Sequence, residues 1–239
     1  MMSIRGLIRR RVLVNYRVDP EVIQRQLPAP FRPNLLGDSA MAGICLIRLE
    51  QIRPGFVSWA TGLSSENAAH RIAVSWRDER GEAAEGVYIP RRDSDSRWNQ
   101  WAGGRLFPGE HHAATFRVRE HAQTLSLAMR SRDGKIAVEL EAHPAVSLPK
   151  TSRFRSIQEA SSFFERGALG YSARVGTNDL DGLYLCAQTW EIEPLDIAFL
   201  STSYFSDERL FPKGTVEFDS ALLMRNIPHE WRVGPAITK

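Results

Sequence analysis

Hydrophobic residues recur at every second position through most of this chain, the spacing of half-buried strands and not of helices. Val12 to Tyr16, Ala42 to Leu49, Arg71 to Trp76, Gly86 to Pro90, Thr115 to Val118, Leu183 to Ile192 and Val216 to Met224 all read as strands. The clearest local signal is a hairpin. Thr124 to Met129 alternates, Asp133-Gly134 supplies a two-residue turn that tolerates positive φ, and Ile136 to Leu140 alternates back. A further reversal falls at Asp78-Glu79-Arg80-Gly81. Helix signals are few. Asp19-Pro20-Glu21 is an N-cap followed by a helix-opening proline, and the helix stops before Pro28. Ser156 to Glu159 is a capping box, with Phe163 and Phe164 along the helix and Gly167 as its C-cap. Ser94 to Trp101 makes a short helix ended by Gly103-Gly104.

No repeat, linker or low-complexity tract divides the 239 residues, so residues 1–239 read as one β-rich domain with a loose tail from Gly234. The longest apolar stretch, Ala40 to Ile47, is eight residues, far short of the ~20 a membrane helix needs. Charges interrupt every hydrophobic run at the N-terminus, so no signal-peptide core is expected. A soluble, cytoplasmic protein that makes no membrane contact is the expectation. Net charge is +3, and the longest basic run is Arg9-Arg10-Arg11. Arg91-Arg92 is answered at once by Asp93 and Asp95, so no uninterrupted basic face for nucleic acid emerges. Cys45 and Cys186 sit in apolar strand-like runs without CxxC spacing and read as buried core thiols.

There is no GxGxxG, no Walker loop, no HExxH and no GxSxG; Gly62 to Glu66 lacks the second glycine. No cofactor and no metal is expected. Two clusters remain. The first is Gly103 to Ala113, where Arg105, Glu110, His111 and His112 fall between a glycine turn and a strand. Three readings compete: a metal site, a general acid–base pocket, and a solvated turn. Neighbours on a strand face opposite ways, so His111 and His112 are poorly placed to chelate one ion together. The second cluster is Ser65 to Arg71. In a closed sheet Glu66 or Arg71 can point into the lumen, and a buried Glu66 needs a partner, for which Arg105 and Arg71 are candidates. The competing reading is a surface turn with paired charges.

The order of several short motifs carries a family resemblance. Val18-Asp19-Pro20-Glu21 with Leu27-Pro28, the aliphatic run Ala40 to Arg53, Glu66-Asn67 with Arg71, Gly86 to Pro90 followed by Asp93-Ser94-Asp95, and Trp190 to Leu195 resemble domain-of-unknown-function family 2071. That family is grouped with the acetoacetate-decarboxylase-like superfamily. The resemblance implies a cone-like antiparallel β-barrel wrapped by further strands, a central ligand cavity, and a homodimer. The decarboxylases carry a Schiff-base lysine in a "GRE..G.PKK" segment. Its counterpart here, Gly104 to Ala113, keeps the arginine as Arg105 but has His112 and Ala113 where the lysines stand. Imidazole cannot form a Schiff base, and the four lysines Lys135, Lys150, Lys213 and Lys239 lie in other segments. Glu66 resembles the superfamily's lumen glutamate.

These readings converge on a mainly β (α+β) fold, an acetoacetate-decarboxylase-like barrel with two or three peripheral helices. Two functions follow. One is a module binding a small, carboxylate-bearing molecule in a lumen lined by Tyr88, Trp98 or Trp101, with Arg105, Arg71, Glu110 and Glu66 as polar contacts. The other is an enzyme using His111 or His112, with Glu66, as general acid–base on a keto or carboxylate substrate. Against both stands the plain reading that these aromatics are core.

Overall fold

The computed structural model describes residues 3–56, 62–103 and 108–238. Strand accounts for 59% and helix for 9%, so the β-dominated expectation holds. The elements are β1 (Ser3–Val18), α1 (Pro20–Gln24), β2 (Arg32–Pro33), β3 (Leu35–Leu36), β4 (Ser39–Pro54), β5 (Leu63–Arg77), β6 (Ala83–Ser94), α2 (Arg97–Ala102), β7 (His111–His121), β8 (Thr124–Ser131), β9 (Ala137–Pro144), α3 (Ile157–Arg166), β10 (Leu169–Ala173), β11 (Leu180–Ala187), β12 (Glu193–Thr202) and β13 (Val216–Val233). No described helix is long and apolar enough to cross a membrane.

Each helix starts where its capping chemistry lies. Asp19 accepts from the Glu21 amide at 2.8 Å and Ser156 from the Glu159 amide at 3.0 Å. The third helix start, at Ser96, is capped the same way through Asn99. The β8–β9 turn is wider than the two residues expected. Ser131 and Ile136 still pair, because the Ser131 hydroxyl ties both the Asp133 carboxylate and the Ile136 amide, leaving four residues in the loop. Gly134 takes the positive φ of 72°. The run expected from Leu183 to Ile192 ends at Ala187, and the chain re-enters the sheet as β12, a strand whose weak alternation hid it. The tail is not loose: Ile237 exchanges backbone hydrogen bonds with Leu180 at 2.8 and 2.9 Å and packs on the core.

Five strands, in the order β13, β1, β4, β5, β6, form a common wall. From it, pairing runs round through β7, β8, β9 and β12 and closes a nine-strand barrel. Pairing also runs from β6 through β10 and β11 back to β13, closing a second, smaller ring. The pleat then sorts side chains between two lumens. Val12, Val14, Ile44, Leu46, Ile72 and Val74 face the barrel and meet Leu127, Met129, Val138 and Leu140 of β8 and β9. Leu13, Cys45, Leu49 and Ala73 face the other way and meet Phe154 with Phe163 and Phe164 of α3. Each fully buried aliphatic or aromatic side chain contributes on the order of 1.5–3 kcal/mol.

Candidate functional site

The site arises where β6 meets β7. The two run parallel there, in the register Arg92–His111, Asp93–His112 and Ser94–Ala113. In-register parallel neighbours share a face, so Arg92 and His111 stand together on the second-lumen side. Asp93 and His112 stand together on the barrel side. Arg92 and His111 border a cavity of about 100 Å³ beneath Ile47, Leu49, Leu183 and Trp231, which Asp93 also touches although its carboxylate holds Arg91. That is space for a small organic molecule, since one water needs on the order of 10–15 Å³.

The cavity has an apolar floor and one polar wall. In that wall the Asn99 amide of α2 donates to Ser65 Oγ at 3.1 Å, Asn67 Oδ1 at 2.9 Å and Ser94 Oγ at 3.2 Å. Ser94 Oγ in turn donates to Asn67 Oδ1 at 2.7 Å, and Asn67 donates to Ser65 Oγ at 2.8 Å. These groups satisfy one another and form a fixed wall. Arg92 and His111 differ. The half-buried Arg92 guanidinium donates to Ser172 Oγ at 3.3 Å and pairs with no carboxylate among the described residues. Gly109, at φ 75°, lets the chain close over Ser172, where a Cβ would approach the serine Cβ to 2.7 Å. Burial lowers the Arg92 pKa to about 10, still charged at neutral pH. Burial, aided by Arg92, pushes His111 down to about 3, so its ring is neutral at pH 7. His111 Nδ1 lies 3.3 Å from the Gly109 carbonyl and donates to it, which leaves Nε2 as the basic nitrogen.

Other residues singled out from the sequence lie apart from this pair. Glu66 is buried on the barrel side, its carboxylate 2.7 Å from Arg10. Arg10 also holds Glu120 at 2.8 Å, and Glu120 holds Arg225 at 2.6 Å. Burial raises the Glu66 pKa against the pull of Arg10. The cavity is bordered instead by Ser65 and Asn67, on either side of Glu66 in sequence. Arg71 is buried, bonded to Asn15 and laid 4.6 Å from the Phe164 ring. Beside it Gly43 lets β4 lie close on β1, since a Cβ there would collide with the Val14 carbonyl oxygen. Tyr88 packs beside Phe31 in the barrel core. Trp98 and Trp101 stack at 4.9 Å on α2 and are about half exposed, 48% and 52%. His112 lies 3.9 Å from Asp133, and Glu110 is exposed beside the outer groove that His112 borders. Arg105 lies outside the described residues. Cys45 is buried as expected, whereas Cys186 is only half-buried, because β11 ends beside an open surface groove.

Sequence reasoning missed Arg92. The sequence offers Asp93 and Asp95 as its answering acids, but period-two parity sends Asp93 to the opposite face, where it holds Arg91 at 2.8 Å. Parity applied to Arg91-Arg92-Asp93 would have singled out Arg92 as the unanswered charge.

A family model described as an uncharacterized conserved protein, domain of unknown function 2071, matches residues 7–211. The chain belongs to this family. None of the curated proteins matches it significantly. Among solved structures, the acetoacetate decarboxylase of Legionella pneumophila superposes with a TM-score of 0.64 at 12% identity, over 98% of this chain and 88% of that one. An acetoacetate decarboxylase-like enzyme from Sphingomonas wittichii gives 0.63 at 14%, over 99% and 91%. The enduracididine biosynthesis enzyme MppR, complexed with pyruvate, gives 0.63 at 10%, over 98% and 88%. At these identities the likeness establishes the decarboxylase-like fold.

Proposed function

We propose that this family member binds a small carboxylate-bearing molecule in the second lumen, its carboxylate held by Arg92. One observation carries the reading: a cavity-lining guanidinium that no described carboxylate answers, beside a neutral imidazole and above an apolar floor. Arginine holds a carboxylate through two parallel hydrogen bonds, and partial burial strengthens both. The apolar floor takes the carbon skeleton. The solved neighbour MppR is complexed with pyruvate, itself a small carboxylate, which supports the reading.

His111 supports a second reading, acid–base catalysis on a keto or carboxylate substrate. Its Nδ1 is fixed to Gly109, and Nε2 is free of a proton at neutral pH. Schiff-base chemistry is not part of either reading. Lys135, Lys150 and Lys213 are exposed and none borders the cavity. Borohydride treatment with acetoacetate is expected to leave the protein mass unchanged; a stable adduct on a lysine would refute this.

The test is thermal-shift screening of small carboxylates on the native protein, Arg92→Gln and Arg105→Ala. Native protein should be stabilised and Arg92→Gln should not respond. If stabilisation survives Arg92→Gln unchanged but vanishes in Arg105→Ala, the carboxylate contact belongs to Arg105. Turnover then separates binder from enzyme. A binder returns its ligand intact, whereas an enzyme loses rate on His111→Asn while still binding.

A further inference from the structure

Arg92 borders a second space besides the cavity. A groove of about 280 Å³ lies outside, lined by Ile89, Gly109, Ser172, Ala173 and Arg174 among others, and Arg92 is the one described residue that borders both spaces. The neighbouring segment alternates between them. Pro108 and His111 border the cavity, whereas Gly109, Glu110 and His112 border the groove. A partition made of Arg92 and residues 108–112 therefore stands between cavity and groove.

The groove is rich in arginine, yet most of that charge is answered. Arg91 is held by Asp93 and Asp133 at 2.8 and 3.0 Å, and Arg174 by Asp179 and Asp181 at 2.7 and 2.6 Å. Glu110, the acid on the rim, is exposed and screened by water. Arg92 is the arginine of the three that meets no carboxylate among the described residues. An anion arriving in the groove thus finds its partner in the partition itself. Little holds that partner in place. Its hydrogen bond to a described residue runs from Nε to Ser172 Oγ at 3.3 Å, beyond the usual range, and Ser172 Oγ is itself turned to the Ile89 carbonyl at 3.1 Å. Gly109 leaves both uncovered, since a Cβ there would come within 2.7 Å of Ser172 Cβ and 3.6 Å of Arg92 Nε. The one exposed residue on the cavity's own border is Leu63, whose apolar side chain offers a carboxylate nothing.

We infer that the outer groove is the carboxylate's way in, where the ion first meets Arg92 and from which the guanidinium, released from Ser172, carries it through the partition. Ser172 is the latch. The inference rests on the carboxylate reading above and adds where the ligand enters and which bond opens.

Passage is a matter of rate, so fluorine NMR relaxation dispersion with trifluorobutyrate as the probe separates entrance from site. Ala173 is exposed on the groove and does not border the cavity, so Ala173→Trp fills the way in and leaves the site alone. Association and dissociation should both slow by about fivefold or more at a nearly unchanged dissociation constant, because one barrier serves both directions. Val175→Trp on the same rim is read in the same way if Ala173→Trp does not fold. Ser172→Ala should raise both rates by about twofold or more, and unchanged rates there would overturn the latch. Native rates in Ala173→Trp and Val175→Trp, or slowing confined to Leu63→Trp, overturn the groove as entrance and leave the carboxylate reading standing. If the native protein does not bind the probe, both fall.

Discussion

The two lumens are built on the two faces of one wall of strands, yet they treat polar groups in opposite ways. The barrel closes its charges on themselves: Glu66, Arg10, Glu120 and Arg225 form an alternating chain, and Arg91 lies between Asp93 and Asp133. Behind those pairs its interior is filled with Leu, Ile, Val and aromatic side chains. Among the described residues the second lumen keeps Arg11 and Arg92 without acids, and it leaves a cavity beside Arg92. Charges paired with one another under dense packing mark a face that specifies the fold. Incomplete pairing beside a void marks a face prepared for something from outside.

The sharpest way to break this comparison is to remove a core side chain from each face. Ile72, 2% exposed, lies in the packed barrel, and Ile72→Ala should cost about 4 kcal/mol in urea unfolding. Ile47 already borders the cavity, so Ile47→Ala should cost nearer 1–2 kcal/mol, because less packing is lost. Equal costs would mean that the two lumens are equally packed.

Charge is the next discriminator. Arg10→Met leaves Glu66 buried without its partner and should destabilise by about 3 kcal/mol. Arg92→Gln should cost well under half of that, since it strands no acid among the described residues. A larger loss for Arg92→Gln than for Arg10→Met would reverse the assignment of structural and functional arginines.

The barrel itself was legible in the alternation, and the family resemblance pointed to its closure. The helix starts were legible because capping is local: Asp19 and Ser156 sit where their side chains reach the next turn. The site was less legible, because a strand's parity is visible in sequence while the identity of each face is not. Glu66 and Arg71 are five apart and so belong to opposite faces, yet nothing local says which face holds a cavity. That is set by β6 and β7 meeting in parallel at three residues, a long-range contact. The Arg92–His111 pair therefore appeared only once the register was known.

Acid should act on both lumens, and ligand on one. His70 in the barrel, fully buried beside Tyr204, is pushed by burial and then by Arg91 to about 3. His111 in the second lumen stands at about 3 as well. In both cases the unfolded chain takes up a proton near 6.5 that the folded chain refuses. Their stabilisation is thus complete above pH 6.5 and is lost as pH falls toward 3. Between pH 7 and 5 each such histidine should lower stability by about 2 kcal/mol, read from urea midpoints. Burial of Glu66 and Asp93 raises their carboxyls and opposes this only at the acid end. His70→Phe should flatten the slope whether or not a carboxylate is present. A bound carboxylate beside His111 favours its protonated form, so ligand should flatten only the remainder. A ligand that leaves the pH dependence of His70→Phe unchanged would separate His111 from the binding site.

The smallest effect is expected on α2, which carries residues of both kinds within one turn. Trp98 is half exposed and stacks on Trp101, outside the set of side chains that border the cavity. Surface substitutions of this sort move stability by about 0.5 kcal/mol or less, so Trp98→Ala should leave both the urea midpoint and the carboxylate affinity near native. Asn99 is the next residue and faces inward, its amide spread over Ser65, Asn67 and Ser94. Asn99→Ala removes the donor that holds α2 against β5 and β6 and should cost about 1 kcal/mol together with a measurable loss of affinity. The helix thus offers a paired control within two residues, in which an aromatic that looks suited to a ligand does nothing and a small amide shapes the wall. If Trp98→Ala weakens carboxylate binding about tenfold while Asn99→Ala does not, α2 meets the ligand with its outer face. The polar wall would then be scaffold only, and the cavity beside Arg92 would be the wrong place to look for the ligand.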